Sequence, residues 1–555
     1  MIDQVEAILF DNGGTLRRKI KRGTNEKREI VCRLMALIGA QGSEEAFYSQ
    51  LSRRSEAYYR WARQTQMELS ESELWAKWML PDYPSEQVRE LAVQLNQLYR
   101  DAHSQKIVFP ESREVILELF RRGYRLGLVS NTTSSIEVPG MLKEMEIGGC
   151  FETIVLSTAV GVRKPNPEIL IDAANRMGVA PEKCVYIGDR IDRDVTAARR
   201  AKFSKVILMQ DHRSPDREAG NDSSLTPDHV IQNLRQLLEY FPPRPTPHPE
   251  TVYNASLSTM SAMNAFPTLP DFFEYARRLG FVGIELNHKI TPAMLAGIDL
   301  NRYRISSIHE PCPAEISQEE LKRRDWLISS ADEACRREGV KAIKRSIELA
   351  SHIRASTVII HCGCSTSDKD EFENKLRWLL KSGKRESDEY RAILARMVEI
   401  RAKNAPPGFT SVRKSLVELL EYADPLGIRL GLENRYHYLE FPSPDELGIL
   451  LDMAGPDKLG FIYDTGHTHV MSQVGFYPQA EWLRYESRII GAHLHDVVDT
   501  ADHFAPGLGE VDFAATATCL PDNAFRTCEI QTFNSPEQVK ASIKFLADQG
   551  CIKPL

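Results

Sequence analysis

Histidine and carboxylate side chains follow apolar runs repeatedly in the second half of this 555-residue chain. Six successive runs end in such residues, which is hard to obtain by chance. Imidazole and carboxylate ligands together suit Zn²⁺ or Mn²⁺. The pattern therefore predicts a metal centre at several strand ends, with these candidate residues: His309, His361, Glu433, Asp464, His493, Glu529 and, three positions after Asp464, His467.

A second set of polar residues occurs in the first half. Asp11 follows the apolar run Ala7–Phe10 and precedes a turn that contains Gly13 and Gly14. A carboxylate at a strand end, next to a glycine-rich turn, lies where α/β sheets bind ligands. Ser130 ends another apolar run, and the remaining members of the set follow in order: Lys164, Asp189 and Asp194.

Short apolar strands must position this second set. They are predicted at 7–10, 125–130, 153–156, 184–187 and 205–208, with helical spacing between them. Short strands that alternate with helices predict a parallel sheet covered on both faces. The stretch from about 17 to 107 is nearly free of glycine and predicts a helical insert, or cap.

Strand-like runs recur eight times in the second half, with helical patterns in most gaps. Eight such units in about 305 residues fit a (β/α)8 barrel, whose chemistry lies at the C-terminal strand ends. A doubly wound sheet is the alternative. The runs are predicted at 252–257, 281–286, 305–309, 357–361, 429–433, 460–464, 489–493 and 526–530.

Two further segments organise the chain. Five prolines within residues 242–249 cannot continue a helix or join a central strand, so they predict an extended spacer. We expect domains at 1–241 and 251–555, joined by a linker at 242–250. Segment 366–407 predicts an inserted helical pair, 369–381 and 387–403, that either covers the barrel mouth or lies in solvent.

Four segments of the first half contain Asp11, Ser130, Lys164, and Asp189 with Asp194. Together they resemble the four motifs of the haloacid dehalogenase superfamily. The resemblance covers about residues 5–240 and implies a Rossmann-like domain with a helical cap. It implies that Asp11 is a nucleophile that accepts a phosphoryl group, and that Asp11, Asp189 and Asp194 hold Mg²⁺. Ser130 and Lys164 would bind the phosphoryl oxygens, with Asn131 as a substrate contact.

One position departs from that family. Its phosphatases carry a second Asp two residues after the nucleophile, as general acid and base, and this chain has Gly13 there. General acid–base catalysis typically raises the rate of such a reaction by about 10²–10⁴-fold. Two alternatives stay open: a slow or substrate-assisted hydrolase, and a domain that only binds a phosphorylated ligand or serves as a scaffold.

The second half resembles the xylose isomerase-like superfamily of TIM barrels, which includes sugar phosphate isomerases and epimerases and the endonuclease IV family. The pieces that carry the resemblance include Gly283-Ile284-Glu285-Leu286 and His493-Leu494-His495-Asp496. It implies a shared metal site of Glu433, Asp464, His493 and Glu529. In the isomerase branch the two glutamates also move protons at a sugar carbon beside a carbonyl.

The endonuclease branch adds ligands for further zinc ions. Its extra positions correspond to His309, His361, His467 and His503, but its Asp two residues before the last histidine is Ala501 here. We therefore expect two metal ions in the barrel and not a third. Arg435 and His495 are the predicted substrate contacts.

The charge, the apolar runs and the cysteines of the chain disfavour several classes of function. A net charge of −7 disfavours a nucleic-acid partner, since such proteins usually show a strong positive footprint. The sequence has no apolar run of about 18 residues and no leader-like start, so we expect neither a membrane span nor secretion. Ten cysteines without a CxxC pair fit a reducing, cytoplasmic compartment. A homo-oligomer is compatible with this composition.

The sequence favours a bifunctional carbohydrate enzyme, with a sugar or sugar phosphate isomerase or epimerase barrel beside a phosphohydrolase-like domain. The first alternative is a zinc-dependent phosphodiesterase with a phosphatase-like partner domain, which the additional histidines favour. The second is a protein that binds a phosphorylated ligand without catalysis. The expected ligand is a small phosphorylated or carbohydrate molecule. For the phosphodiesterase alternative, which is similar to endonuclease IV, a nucleic acid stays open as the substrate although the charge disfavours it.

Overall fold

The computed structural model describes residues 5–210, 226–245, 248–366 and 370–555. Parts of three sequence predictions fall outside the described residues. They concern the start of the chain at residues 1–4, residues 246–247 of the spacer, and residues 367–369 of the inserted helical pair in the second half. The chain divides into two compact units, Met1–Pro247 with Asn264–Pro267, and His248–Met263 with Thr268–Leu555.

A parallel six-stranded sheet forms the centre of the first unit. The strands of this unit are β1 (Ala7–Phe10), β2 (Arg17–Ile20), β3 (Gln105–Val108), β4 (Arg125–Ser130), β5 (Phe151–Leu156), β6 (Cys184–Gly188), β7 (Lys205–Met209) and β8 (His229–Ile231). The order in the sheet is β5-β4-β1-β6-β7-β8. All four residues of β1 are buried, as expected for a strand covered on both faces.

Helices cover this sheet and build the insert. They are α1 (Thr24–Ile38), α2 (Glu44–Thr65), α3 (Glu71–Leu74), α4 (Ser85–His103), α5 (Ser112–Arg121), α6 (Glu137–Glu144), α7 (Ser157–Val160), α8 (Glu168–Met177), α9 (Thr196–Arg200) and α10 (Leu237–Tyr240). Val88, Ala92, Leu95 and Tyr99 repeat at helical spacing along α4 and are buried. Burial of each large apolar side chain contributes about 1.5–3 kcal/mol.

The ends of the insert differ from the predicted continuous helix. Residues 17–20 and 105–108 form the antiparallel pair β2–β3, and helix begins only at Thr24. Each strand has four residues, which is too short to give a period that the sequence pattern could reveal. The pair brings the two ends of the insert together beside Asp11.

The second unit contains a closed barrel of eight parallel strands, in the order β9 to β15 and then β18. The predicted fold class, a Rossmann-like domain followed by a (β/α)8 barrel, is confirmed. The strands are β9 (Tyr253–Ser258), β10 (Phe281–Leu286), β11 (Ile305–His309), β12 (Thr357–Ile360), β13 (Arg429–Glu433), β14 (Leu459–Asp464), β15 (Ile489–Leu494), β16 (Asp496–Val498), β17 (Ala501–Phe504) and β18 (Phe525–Cys528). Strands β16 and β17 form a separate antiparallel hairpin.

The helices of this unit are α11 (Leu269–Leu279), α12 (Pro292–Leu295), α13 (Gln318–Arg323), α14 (Glu333–His352), α15 (Asp370–Lys381), α16 (Asp388–Ala423), α17 (Pro444–Leu451), α18 (Thr465–Val474), α19 (Gln479–Leu483), α20 (Phe513–Cys519) and α21 (Pro536–Asp548). No helix of the described residues combines the length and apolar character needed to cross a bilayer.

One helix is longer than predicted. The helix predicted at 387–403 is the first part of α16, which continues through Pro406 and Pro407 to Ala423. Proline normally interrupts a helix because its nitrogen cannot donate a hydrogen bond. Here Met397, Gly408 and Val412 are buried on both sides of the prolines, so packing holds the helix together.

Candidate functional site

The first candidate site lies at the carboxyl ends of β1 and β6. Asp11 is 1% exposed, and its amide donates to the carbonyl oxygen of Ile187 at 2.8 Å. The Lys164 amine lies 2.6 Å from Asp11 Oδ1 and 2.9 Å from Asp194 Oδ1. Ligand atoms of Asp11, Asp189 and Asp194 lie within 4.8 Å of one another. The structure thus brings the predicted residues together.

Asn131 and Ser130 line the same cavity as Asp11. The Asn131 side chain donates to the Lys164 carbonyl oxygen and accepts from the Lys164 amide, both at 2.9 Å. These bonds hold the lysine loop, so Asn131 positions Lys164 in addition to facing the cavity.

Arg193 is a member of this site that the sequence analysis missed. Its guanidinium lies 3.1 Å from Asp11 Oδ2 and 3.0 Å from both Asp189 Oδ1 and Asp194 Oδ2. Burial opposes ionisation of the Asp194 carboxyl, but Arg193 and Lys164 hold its pKa below the ordinary value. A cationic side chain therefore lies among the three carboxylates predicted to hold Mg²⁺.

The second candidate site is at the C-terminal rim of the barrel. Glu433 ends β13, Asp464 ends β14, His493 lies in β15, and Glu529 directly follows β18. Because parallel strands end at one rim, these four side chains converge. All four are buried, and their ligand atoms lie within 4.8 Å of one another. We call them the central group.

His493 lies beside all three carboxylates of the central group. Its Nδ1 lies 2.6 Å from Glu433 Oε1, 3.4 Å from Glu529 Oε2 and 3.6 Å from Asp464 Oδ2. Burial alone would raise the pKa of the Glu433 carboxyl, but the imidazoles of His493, His309 and His361 hold it well below its usual range. The central group thus places several negative charges close together in a buried site. Burial of such charges has a large free-energy cost unless cations balance them.

Glu285 supports His493 from the opposite side and is a second residue to which the sequence assigned no role. It is fully buried, and its Oε2 lies 3.2 Å from His493 Nε2. It also accepts hydrogen bonds from Ser307 Oγ at 2.6 Å and Thr527 Oγ1 at 3.1 Å. A carboxylate behind a histidine fixes the ring and directs its other nitrogen to a metal.

A second group of ligand residues adjoins the first and shares Glu433. His361 Nε2 lies 3.0 Å and His309 Nε2 lies 3.6 Å from Glu433 Oε2. Gln318 Nε2 lies 2.8 Å from the other nitrogen of His361. Arg435, a predicted substrate contact, also reaches Glu433 and forms a 3.2 Å ion pair with Glu440.

A third group contains His467, His495 and His503, all buried. His495, a predicted substrate contact, has its Nε2 3.0 Å from Asp464 Oδ1 and lies beside the other two rings. Asp502 Oδ2 lies 3.6 Å from His467 Nε2 and 3.4 Å from His503 Nε2. Asp502 thus provides a carboxylate that the sequence comparison at Ala501 did not anticipate.

Comparisons with known proteins match this architecture. Residues 5–202 match the family model of haloacid dehalogenase-like hydrolases, and residues 273–549 match that of xylose isomerase-like TIM barrels. The chain joins a haloacid dehalogenase-like domain to a xylose isomerase-like barrel. We refer to the two units by these names.

Curated relatives match the dehalogenase-like domain. Glyceraldehyde 3-phosphate phosphatase of Methanopyrus kandleri is 38% identical over 24% of this chain and 55% of its own length. Phosphoglycolate phosphatase of Nitrosococcus oceani is 36% identical over 25% of this chain and 61% of its own. The chain thus spans little more than half of these relatives. The structure of a 3-keto-D-glucoside 4-epimerase from E. coli covers 53% of this chain and 99% of its own, at 15% identity and a TM-score of 0.36.

The donor sets fit the metals that these domains imply. In the dehalogenase-like domain three buried carboxylates suit a hard cation such as Mg²⁺, although Arg193 occupies the space among them. In the barrel, imidazoles and carboxylates form three adjoining groups, which suit zinc or manganese. Gly13 leaves room beside Asp11, because no heavy atom lies within 4 Å of a Cβ built at this position.

Proposed function

We propose that the barrel is a metal-dependent phosphoester hydrolase and that the dehalogenase-like domain binds phosphorylated ligands. One observation carries the first part: two further ligand groups adjoin the central group and share or contact its carboxylates. Centres of several metal ions are typical of enzymes that hydrolyse phosphoesters. This observation moves hydrolysis ahead of the isomerisation that the sequence favours.

The residues of the barrel have separate tasks in this proposal. Glu433 links the central group to His309 and His361, and Asp464 links it to His495. Zn²⁺ or Mn²⁺ held there would activate water and neutralise phosphate oxygens. Glu285 fixes the orientation of His493. Arg435 is an additional cation beside Glu433 that would attract an anionic substrate.

In this proposal Asp11 is the nucleophile of the dehalogenase-like domain. An Asp11 carboxylate oxygen would form a bond to phosphorus while the ester P–O bond breaks, and water would then release the phosphate. Lys164 would neutralise the phosphoryl oxygens, and Mg²⁺ would add charge neutralisation. The leaving oxygen needs a proton that Gly13 cannot supply. We therefore propose slow turnover, with binding as the dominant property.

Sugar isomerisation or epimerisation is the second candidate for the barrel. Glu433 and Glu529 approach the same nitrogen of His493 from different strands, at 2.6 and 3.4 Å. Two carboxylates at one metal-binding centre could remove and return a proton on opposite sides of a sugar carbon. This candidate needs the central group alone and gives no task to the other two groups.

Activity assays on the full chain separate the candidates. Hydrolysis of bis(p-nitrophenyl) phosphate with added Zn²⁺ or Mn²⁺ should be abolished in Glu433→Gln. It should persist in Asp11→Asn, which removes the other domain's nucleophile, and in the control Glu486→Gln, an exposed glutamate. Interconversion of sugars without any ester hydrolysis would instead support the isomerase candidate and refute the hydrolase.

A further inference from the structure

A strongly cationic cavity opens beside Asp11 in the dehalogenase-like domain. It has a volume of about 440 Å³, and eight Lys and Arg side chains line it against two carboxylates, Asp11 and Glu56. The chain as a whole carries a net charge of −7, so this concentration of positive charge is local. It suggests a ligand with more negative charge than one phosphoryl group.

The positive charge near Asp11 is already balanced. Lys164 and Arg193 face three carboxylates, Asp11, Asp189 and Asp194, at distances of 2.6–3.1 Å. The excess cations of the cavity therefore lie elsewhere on its wall. The phosphoryl-binding position at Asp11 is therefore separate from the part of the cavity wall that carries the remaining positive charge.

The excess lies on a wall formed by Arg17, Lys19, Arg100 and Lys106, which we call the cationic wall. Three of these side chains share one carboxylate: Glu137 lies 2.9 Å from Arg17 and 3.6 Å from Lys106, and it also contacts Arg100. The only other carboxylate in an ion pair with Lys106, among the described residues, is that of Asp101 at 3.9 Å. Glu137 and the more distant Asp101 are two carboxylates against four cations, so part of the positive charge of the wall is not neutralised.

The backbone register adds to the repulsion. Lys19 and Lys106 are directly opposite each other in the antiparallel pair β2–β3. Like charges in directly opposite positions destabilise a strand pair. Burial and the neighbouring cations lower the pKa of Lys106 to about 8. An anion at this wall would relieve the repulsion.

We propose that the cationic wall binds a second anionic group of the ligand. The ligand is then a small molecule with a phosphoryl group at Asp11 and a carboxylate or second phosphate at Lys19 and Lys106. The proposal rests on the phosphoryl-binding function proposed above for this domain. It adds a specificity that the Asp11 site alone does not provide.

Three non-hydrolysable ligands, each with a chain of three carbons on phosphorus, test the proposal by calorimetry on the full chain with Mg²⁺. Propylphosphonate has one anionic group, phosphonopropionate adds a carboxylate, and trimethylene diphosphonate adds a second phosphonate. Charge-assisted bonds to a partly buried site should make at least one of the latter two bind about tenfold or more tightly than propylphosphonate. Which of them binds more tightly identifies the second anion.

Lys106→Met should reduce this preference to less than about threefold without changing the affinity for propylphosphonate. Lys143→Met, at an exposed position on α6, is the control and should keep the preference. Lys19→Met repeats the test if the first variant fails to fold. Equal affinities of the wild-type protein for all three ligands would overturn this inference alone. Failure to bind any of them would overturn the phosphoryl-binding function as well.

Discussion

Replacement of Lys106 by methionine should stabilise the ligand-free protein at neutral pH. The Lys106 side chain is 12% exposed, and burial with the nearby Arg100 and Arg17 lowers its pKa from 10.5 to about 8 although Glu137 opposes the change. The difference, 10.5 − 8 = 2.5, corresponds to about 3–4 kcal/mol at about 1.4 kcal/mol per pKa unit. Methionine keeps the length of the side chain and removes the charge.

The pH dependence follows from linkage. The unfolded chain keeps the Lys106 proton up to about pH 10.5, whereas the folded protein releases it near pH 8. Below pH 8 the folded state bears the full cost of the buried charge. The cost falls between pH 8 and 10.5 and is absent above that range. The advantage of Lys106→Met is therefore largest at neutral pH and disappears in alkali.

Differential scanning calorimetry of the full chain measures this effect in the transition of the dehalogenase-like domain. At about 2–4 °C per kcal/mol for a unit of this size, the midpoint should rise by about 6 °C or more at pH 7. Lys143→Met should leave it unchanged. A Lys106→Met midpoint that does not rise, or a rise that is the same at pH 7 and above pH 10.5, would refute the electrostatic reasoning.

Three other substitutions test the two sites. Glu285→Gln should weaken zinc binding by the barrel about 10–100-fold in a chelator competition, because His493 loses the carboxylate that orients it; unchanged affinity would exclude this supporting role. Gly13→Asp should raise hydrolysis of p-nitrophenyl phosphate about a hundredfold or more, since the position has room for a side chain; a rate equal to wild type would contradict the acid–base explanation. Arg193→Ala should increase the affinity for Mg²⁺ in calorimetry, because its guanidinium no longer competes among carboxylates that include Asp11; equal affinities would show that the two cations do not compete.

Strand ends were the part of the molecule that the sequence predicted well. An apolar run followed by one polar residue indicates both the strand and the end at which that residue lies, as at Glu433 and Asp464. The barrel imposes a common rim on these ends, so their convergence follows from the fold. This explains why the sequence could predict that the four side chains of the central group lie close together.

Short elements and long-range pairs were not predictable in the same way. Strands β16 and β17 have three and four residues, and their hairpin presents Asp502 beside His467, which no local pattern indicates. Arg193 lies in a short π-helical turn, and only the folded turn directs it toward Asp11. Helix α16 passes two prolines because tertiary packing outweighs their local effect.

Metal content distinguishes a barrel rim that holds several metal ions from one that holds a single ion. Zinc and manganese are counted per chain in the full-length protein, purified without chelator and after reconstitution, and compared with Glu433→Gln. We expect two or more such ions per wild-type chain and a loss of at least one in the variant. One ion at saturation would contradict the multi-metal hydrolase, and none would contradict both catalytic candidates for the barrel.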